Sequence, residues 1–238
     1  NKVIVGFGNG KATIYQDIAN PTSENTITYT CHGSSVLSVK ILNSTCDCYL
    51  AGSQTGTVKV FTGINTSPSE SRSIGSSIND MDVLSNNSIV IGLGNGRIRL
   101  SVSSSSFSEI NPAQGAVQSV SVLSNGYVAC GYINGRIDIY NMATGSSLIN
   151  FNHGSNINDL EAMPTNGELL SVATTSNFIN RWDTSTGSII SQIDLGRDGF
   201  CLKLVDSNRV AAGLNNHEIC IYDLNTGSLV KTLSGHSN

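Results

Sequence analysis

Ala129-Cys130-Gly131-Tyr132-Ile133-Asn134-Gly135-Arg136-Ile137-Asp138-Ile139-Tyr140 reads as two short apolar runs hinged on Asn-Gly. Asn and Gly tolerate positive φ, so Asn-Gly between apolar runs predicts a tight β-hairpin, here of type I′. After the turn, Ile137 and Ile139 alternate with Arg136 and Asp138. That period of two belongs to a strand with one face buried. The same arrangement recurs as Val3-Ile4-Val5-Gly6 with Asn9-Gly10, Leu50-Ala51-Gly52 with Thr55-Gly56, and Val90-Ile91-Gly92 with Asn95-Gly96. It returns as Val172-Ala173 with Ser176-Asn177 and as Ala212-Gly213 with Asn216-His217. The anchors at positions 6, 52, 92, 131, 173 and 213 lie 46, 40, 39, 42 and 40 residues apart. A fixed period of about 40 residues marks a stacked or radial repeat.

Two further strands fill each unit. Upstream of the hairpins lie Val36, Val39, Ile41; Ile78, Met81, Val83; Val117, Val120, Val122; Ile157, Leu160; and Leu202, Leu204. Downstream, the Thr-Gly turns at 144–145, 186–187 and 226–227 lead into Leu148-Ile149, Ile189-Ile190 and Leu229-Val230. Four short strands per repeat make a propeller blade. The sequence therefore predicts an all-β fold, a β-propeller of four-stranded antiparallel blades. Six blades are visible, at about 1–33, 34–75, 76–114, 115–154, 155–196 and 197–238, as one domain over 1–238. The candidates number 23, one short of six full blades, and the missing strand is the one that would precede Val3. The expectation is a fragment of a longer chain, its ring either six-bladed or, as the family resemblance given below implies, an incomplete seven-bladed one.

Composition agrees with this reading. Charged residues make up 13% of the 238 residues, against about 25% in an ordinary soluble domain, with 39% hydrophobic and 24 glycines. A helical bundle would be rich in Ala, Glu, Lys, Leu and Arg. A net charge of −4 with 13 Lys+Arg leaves no cationic excess for coating phosphates, so nucleic acid is not an expected partner. No apolar run approaches the length of a transmembrane helix, and no membrane association is expected. The six cysteines, Cys31, Cys46, Cys48, Cys130, Cys201 and Cys220, are expected to be reduced in a cytoplasmic or nuclear protein.

The repeats resemble those of the WD40 β-propeller family, over essentially the whole chain. The last unit carries the family pattern most fully: Ile221-Tyr222-Asp223, Leu224-Asn225-Thr226-Gly227, and Leu233-Ser234-Gly235-His236. Trp182-Asp183 is the one Trp-Asp pair. The resemblance implies structural roles for His32, His153, His236, Trp182, Asp183, Tyr222 and Asp223. The family histidine joins a buried network with Trp and a turn Asp. Here that Asp is replaced by Asn9, Thr55, Asn95, Asn134, Ser176 or Asn216, so each network must be weakened or rebuilt.

No motif points to catalysis. Gly6-Phe7-Gly8-Asn9-Gly10-Lys11 has one residue too few between its glycines for a phosphate loop, and Ala12 stands where Ser or Thr would bind Mg²⁺. Cys46-Asp47-Cys48 has no second ligand pair. Asp80-Met81-Asp82 puts two carboxylates on one strand face, read as solvated or capping groups. No catalytic residue, cofactor or metal is expected. The resemblance implies a protein-interaction scaffold or adaptor, a monomeric domain of a larger protein, that binds a protein or peptide on one propeller face. Candidate contacts are Phe7, Leu93, Tyr132 and Leu214, each directly after a blade anchor, and Ser155, Asn156, Arg197 and Asp198 between blades. The alternatives are a quinone-dependent enzymatic propeller, disfavoured by a single Trp, and a sugar-binding propeller, disfavoured by 6% aromatics.

Overall fold

The structure is a computed structural model that describes residues 2–16, 25–43, 48–101, 107–164 and 167–235. Among these the chain is all-β, with 23 strands in six antiparallel sheets of the β-propeller class. Sheet 1 has three strands: β1 (Val3–Gly6), β2 (Lys11–Tyr15) and β3 (Thr26–Thr30). Sheet 2 joins β4 (Val36–Asn43), β5 (Cys48–Ser53), β6 (Thr57–Thr62) and β7 (Glu70–Ser73). Sheet 3 joins β8 (Ile78–Val83), β9 (Ile89–Leu93), β10 (Ile98–Ser101) and β11 (Phe107–Ile110). Sheet 4 joins β12 (Val117–Val122), β13 (Val128–Tyr132), β14 (Arg136–Asn141) and β15 (Ser146–Asn152). Sheet 5 joins β16 (Ile157–Ala162), β17 (Glu168–Ala173), β18 (Phe178–Asp183) and β19 (Ser188–Asp194). Sheet 6 joins β20 (Gly199–Asp206), β21 (Arg209–Leu214), β22 (Ile219–Asp223) and β23 (Leu229–Leu233). Two compact units result, Asn1–Asn111 with sheets 1–3 and Pro112–Asn238 with sheets 4–6.

The hairpin turns differ from the sequence expectation in one respect. At Asn9-Gly10, Asn95-Gly96 and Asn134-Gly135 only the glycine takes positive φ. A type I′ turn needs positive φ at both central residues; one αL glycine after a type I turn is the three-residue G1-bulge loop. Asn9, Asn95 and Asn134 instead accept the amide of the residue two ahead (Lys11, Arg97, Arg136) at 3.2, 3.2 and 3.0 Å. The pairing register also moves one anchor. Gly131 pairs with Ser119 and Gly213 with Cys201, while in sheet 5 it is Val172, not Ala173, that pairs with Asp159.

That register matters because consecutive sheets touch there. A Cβ on Gly52 would lie 2.6 Å from Ile78 Cγ2, and one on Gly131 would lie 2.6 Å from Ile157 Cγ2. Gly6 meets Val36 in the same way at 2.8 Å. Between sheets 5 and 6 the sizes are exchanged: a Cβ on Gly199 would fall 2.3 Å from Val172 Cγ2. One side of each contact is thus reduced to hydrogen so that a β-branched side chain can seat. Around these points lie the cores. Ala129, Ile137 and Ile139 of sheet 4 pack with Ile157, Leu160 and Trp182 of sheet 5. Leu170, Val172, Ile179 and Ile193 of sheet 5 pack with Leu202, Val210 and Ala212 of sheet 6.

Polar side chains stitch the first strands together. In unit 2, Ser119 Oγ donates to Asp159 Oδ1 at 3.2 Å and accepts the Leu160 amide at 3.2 Å. Asp159 Oδ2 accepts the Leu202 amide at 2.7 Å. In unit 1, Ser38 Oγ donates to Asp80 Oδ1 at 3.0 Å and accepts the Met81 amide at 3.1 Å. Asp82 pairs with Lys40 at 3.6 Å. The carboxylates of Asp80-Met81-Asp82 are therefore inter-sheet ties.

The expectation that every cysteine is reduced is corrected: Cys48 is disulfide-bonded, while Cys31, Cys130, Cys201 and Cys220 are free. Cys46, Asp47, His236 and the role proposed for that histidine lie outside the described residues.

Gly131→Ala should lower stability by about 1–3 kcal/mol, because the added methyl overpacks a fully buried contact with Ile157. Denaturant unfolding checks this. Ala at exposed Gly33 is the control, since nothing lies within 4 Å of it and its φ, like that of Gly131, is not positive.

Candidate docking site

In unit 2 the links between sheets are zipped onto the second-to-third-strand hairpins. The His153 amide donates to Gly135 O at 2.9 Å, and the Thr174 amide to Asn156 O at 2.8 Å. The Leu195 amide donates to Asn177 O at 2.6 Å, and the Asn215 amide to Asp198 O at 3.1 Å. Ser155 Oγ donates to Thr174 O. Loops held this way present fixed surfaces, the usual place for recognition on a rigid scaffold.

Between the 153–156 link and the sheet 5 hairpin lies a cleft of about 370 Å³, lined by His153, Gly154, Ser155, Thr175, Ser176, Asn177 and Phe178. No charged residue lines it. Its one large apolar wall, Phe178, is 39% exposed. Thr175 sits on the lip at φ 58°. A β-branched residue in the left-handed region is strained, and such strain concentrates at sites where geometry is over-determined by its surroundings. Beside the cleft, Asn156 Oδ1 is buried with no hydrogen-bond partner among the described residues.

The cleft floor is anchored by a relay that runs from the buried Trp182–Ser171 pair to the partly buried His153 and Ser176. Trp182 Nε1 donates to Ser171 Oγ at 2.7 Å, Ser171 Oγ is hydrogen-bonded to His153 Nδ1 at 2.7 Å, and His153 Nε2 to Ser176 Oγ at 2.9 Å. Phe151 covers Trp182 with ring centroids 4.7 Å apart. Both imidazole nitrogens thus face hydroxyls rather than a carboxylate. Burial with no anionic partner pushes the His153 pKa down to about 4, so the ring is neutral and one nitrogen accepts while the other donates.

Other sheets rebuild the same place differently. In sheet 4, buried Asp138 pairs with Arg136 at 2.8 Å and accepts from Tyr140 Oη at 3.1 Å, and Tyr132 Oη donates to Tyr140 Oη at 3.3 Å. Burial raises the Tyr132 pKa, keeping its hydroxyl protonated. In sheet 2, His32 Nε2 bonds Ala51 O at 3.0 Å. Asp183 and Asp223 close the Thr-Gly turns: their Oδ1 atoms accept the Ser185 amide at 2.8 Å and the Thr226 amide at 2.8 Å. Hydrogen bonds from Ser185 hold the Asp183 carboxyl below its usual range, and the Thr226 and Asn225 amides do so for Asp223. Tyr222 is buried in the sheet 5–6 core.

Three of the candidate contacts are corrected. Leu93, Tyr132 and Leu214 are 1%, 0% and 5% exposed. Each is the last residue of its strand, so strand alternation continues through it and turns the side chain into the packed space between sheets. Phe7 remains at the surface of unit 1, 38% exposed. Ser155 lines the cleft and Asn156 adjoins it in sequence. Arg197 is exposed in the next link, where Asp198 Oδ2 accepts from Asn215 Nδ2 at 3.3 Å. Phe178 was missed by the sequence reading. The signal for it exists: the other repeats place Lys11, Thr57, Arg97, Arg136 and Glu218 directly after the turn, where sheet 5 alone has an aromatic.

The chain matches no model of a known protein family and no curated protein. Among the described residues, no three of His, Cys, Asp and Glu converge to hold a metal ion.

The depressed His153 pKa fixes the sign of an acid effect. The unfolded chain takes up this proton near its ordinary value of about 6.5, the folded chain only near 4. Stability from this residue is complete above about pH 6.5 and falls toward pH 4, by at most about 1.4 kcal/mol per pH unit. Denaturant midpoints across that range should show the loss. Ser176→Asp, which sets a carboxylate against Nε2, should reduce it.

Proposed function

We propose that this chain is a WD40-like propeller domain that serves as a non-catalytic protein-interaction module. On this reading it docks an extended, uncharged peptide segment in the cleft between sheets 4 and 5. The carrying observation is half-exposed Phe178 over a floor fixed by the Trp182–Ser171–His153–Ser176 relay. An aromatic held on a rigid surface loses little entropy on binding and is a common interface anchor. Hydroxyls and the amide of Asn177 around it offer donors and acceptors for a peptide backbone. The tied loops leave little ordering cost to be met on association. Support for the family assignment rests on the blade repeat, the Asp-closed Thr-Gly turns and the Trp–Ser–His relay.

Immobilised chain and a Phe178→Ala version of equal thermal stability should be compared for capture from cell extract. The wild type should retain a partner that the variant holds at least about tenfold less tightly, as expected for loss of an anchor worth about 1.4 kcal/mol or more. Equal capture by both would exclude the cleft as the docking site.

A further inference from the structure

Cys48 is disulfide-bonded. Disulfides persist in the oxidising compartments of the export route and are rare in the cytosol. The same compartments are where Asn-x-Ser/Thr triplets accept N-linked oligosaccharide. The chain has three such triplets, Asn43-Ser44-Thr45, Asn65-Thr66-Ser67 and Asn86-Asn87-Ser88. All belong to sheets 2 and 3. Asn43 ends β4, Asn65 lies between β6 and β7, and Asn86 lies between β8 and β9. In an antiparallel sheet these links leave by the end opposite the second-to-third-strand hairpin. No triplet falls at the hairpin end, where the links between sheets are tied.

The surroundings of Asn86 single it out. Its turn, 84–88, is repeated in sheet 4 as 123–127. The Leu84 amide donates to Ser88 O and the Asn87 amide to Leu84 O, both at 2.9 Å. In sheet 4 the Leu123 amide donates to Tyr127 O at 2.8 Å and the Gly126 amide to Leu123 O at 2.9 Å. Asn86 and Asn125 each use Oδ1 to accept the amide two residues on, from Ser88 and Tyr127, at 3.0 Å. The next residue takes positive φ in both turns, 63° at Asn87 and 81° at Gly126. The turn therefore employs Asn86 through Oδ1 alone. Its Nδ2 has no partner among the described residues, and the residue is exposed.

The hydroxyl of Ser88 has no part in that turn, since Tyr127 does the same backbone work without one. Ser88 is only 3% exposed, yet its Oγ makes no hydrogen bond among the described residues. A polar group so placed is normally bonded. What the hydroxyl adds is the third member of the triplet. The other two triplets carry less. Pro68 holds Ser67 extended, away from a turn conformation, and the residues after Asn43 lie outside the described ones.

We propose that this chain passes through the export pathway and carries N-linked oligosaccharide on Asn86. The donor is an oligosaccharide held on a lipid diphosphate. Asn86 Nδ2 attacks the anomeric carbon of its first sugar. The N–C bond forms, the C–O bond to phosphate breaks, the lipid diphosphate leaves with the electron pair, and the amide proton passes to a base of the transferase. Ser88 is closed off once β8 and β9 pair, so the transfer precedes folding. This site is independent of the cleft in unit 2.

The protein purified from the cells that make it should be treated with peptide N-glycosidase in heavy-oxygen water and mapped by mass spectrometry. Position 86 should be read as heavy-labelled Asp; an unlabelled Asn there would overturn the proposal. Alkylation of the same preparation before reduction should mark exposed Cys201 and leave Cys48 unmarked. A marked Cys48 would remove the case for an oxidising compartment. The part played by the hydroxyl is tested by translating the chain behind an export leader in the presence of microsomes, with Asn43→Gln and Asn65→Gln in place. Ser88→Ala keeps the backbone amide that Asn86 holds, and should abolish the mass gain that the glycosidase removes, while Ser88→Thr should preserve it. A gain that survives Ser88→Ala would overturn the assignment to this triplet.

Discussion

Two twisted sheets can pack face to face only if something yields at the point of closest approach, and in this chain a missing side chain yields. Glycine stands opposite valine or isoleucine at Gly6–Val36, Gly52–Ile78 and Gly131–Ile157, and the partners exchange sizes at Val172–Gly199. The free-energy gain from burying the β-branched residue depends on that hydrogen-sized gap, since dense interiors tolerate neither overlap nor void. With the contact made, the first strands lie near enough for Ser38, Ser119 and Asp159 to reach amides on the next sheet. Those amides belong to strands at sheet edges; the Met81 and Leu160 amides also meet Asp80 and Asp159 Oδ1 at 2.8 and 2.9 Å, and a buried amide left without any partner costs about 1–3 kcal/mol. Packing and hydrogen bonding are thus consequences of one spacing.

The cleft depends on the same spacing. It is formed by a link and a hairpin that belong to successive strands and sheets, so its width is set by how closely sheets 4 and 5 approach. Trp182, seated in the sheet 4–5 core, passes that position through Ser171 and His153 to Ser176 at the cleft surface. The relay uses neutral hydroxyls in place of a carboxylate. That exchange keeps the imidazole uncharged and the cleft free of fixed charge.

The fold was legible because its signals are local. Asn-Gly turns, period-two alternation and the anchor spacing each report a strand or turn without reference to distant residues, and the strand short of a full count shows itself as the three-stranded sheet 1. What the sequence hid was long-range. Tyr132 reads as an exposed aromatic after a blade glycine, yet alternation carries it inward to Tyr140. Val172 was displaced by Ala173 as the anchor because the sheet 5–6 contact moves the glycine to the partner strand, at Gly199. The turn type was misjudged since Asn-Gly serves both type I′ and G1-bulge loops, and only φ separates them. Of the site, Ser155 and His153 could be placed by their equivalence across repeats, while Phe178 could be found only by asking which repeat breaks the polar rule after its turn.

A reciprocal exchange at Val172 and Gly199 tests the size-matching account most directly. Unfolding free energies of Val172→Gly, Gly199→Ala and the double variant form one cycle. If the contact works by complementary size, each single change destabilises, and the pair recovers about 1–3 kcal/mol relative to the sum of the two. Strict additivity of the two losses would contradict it.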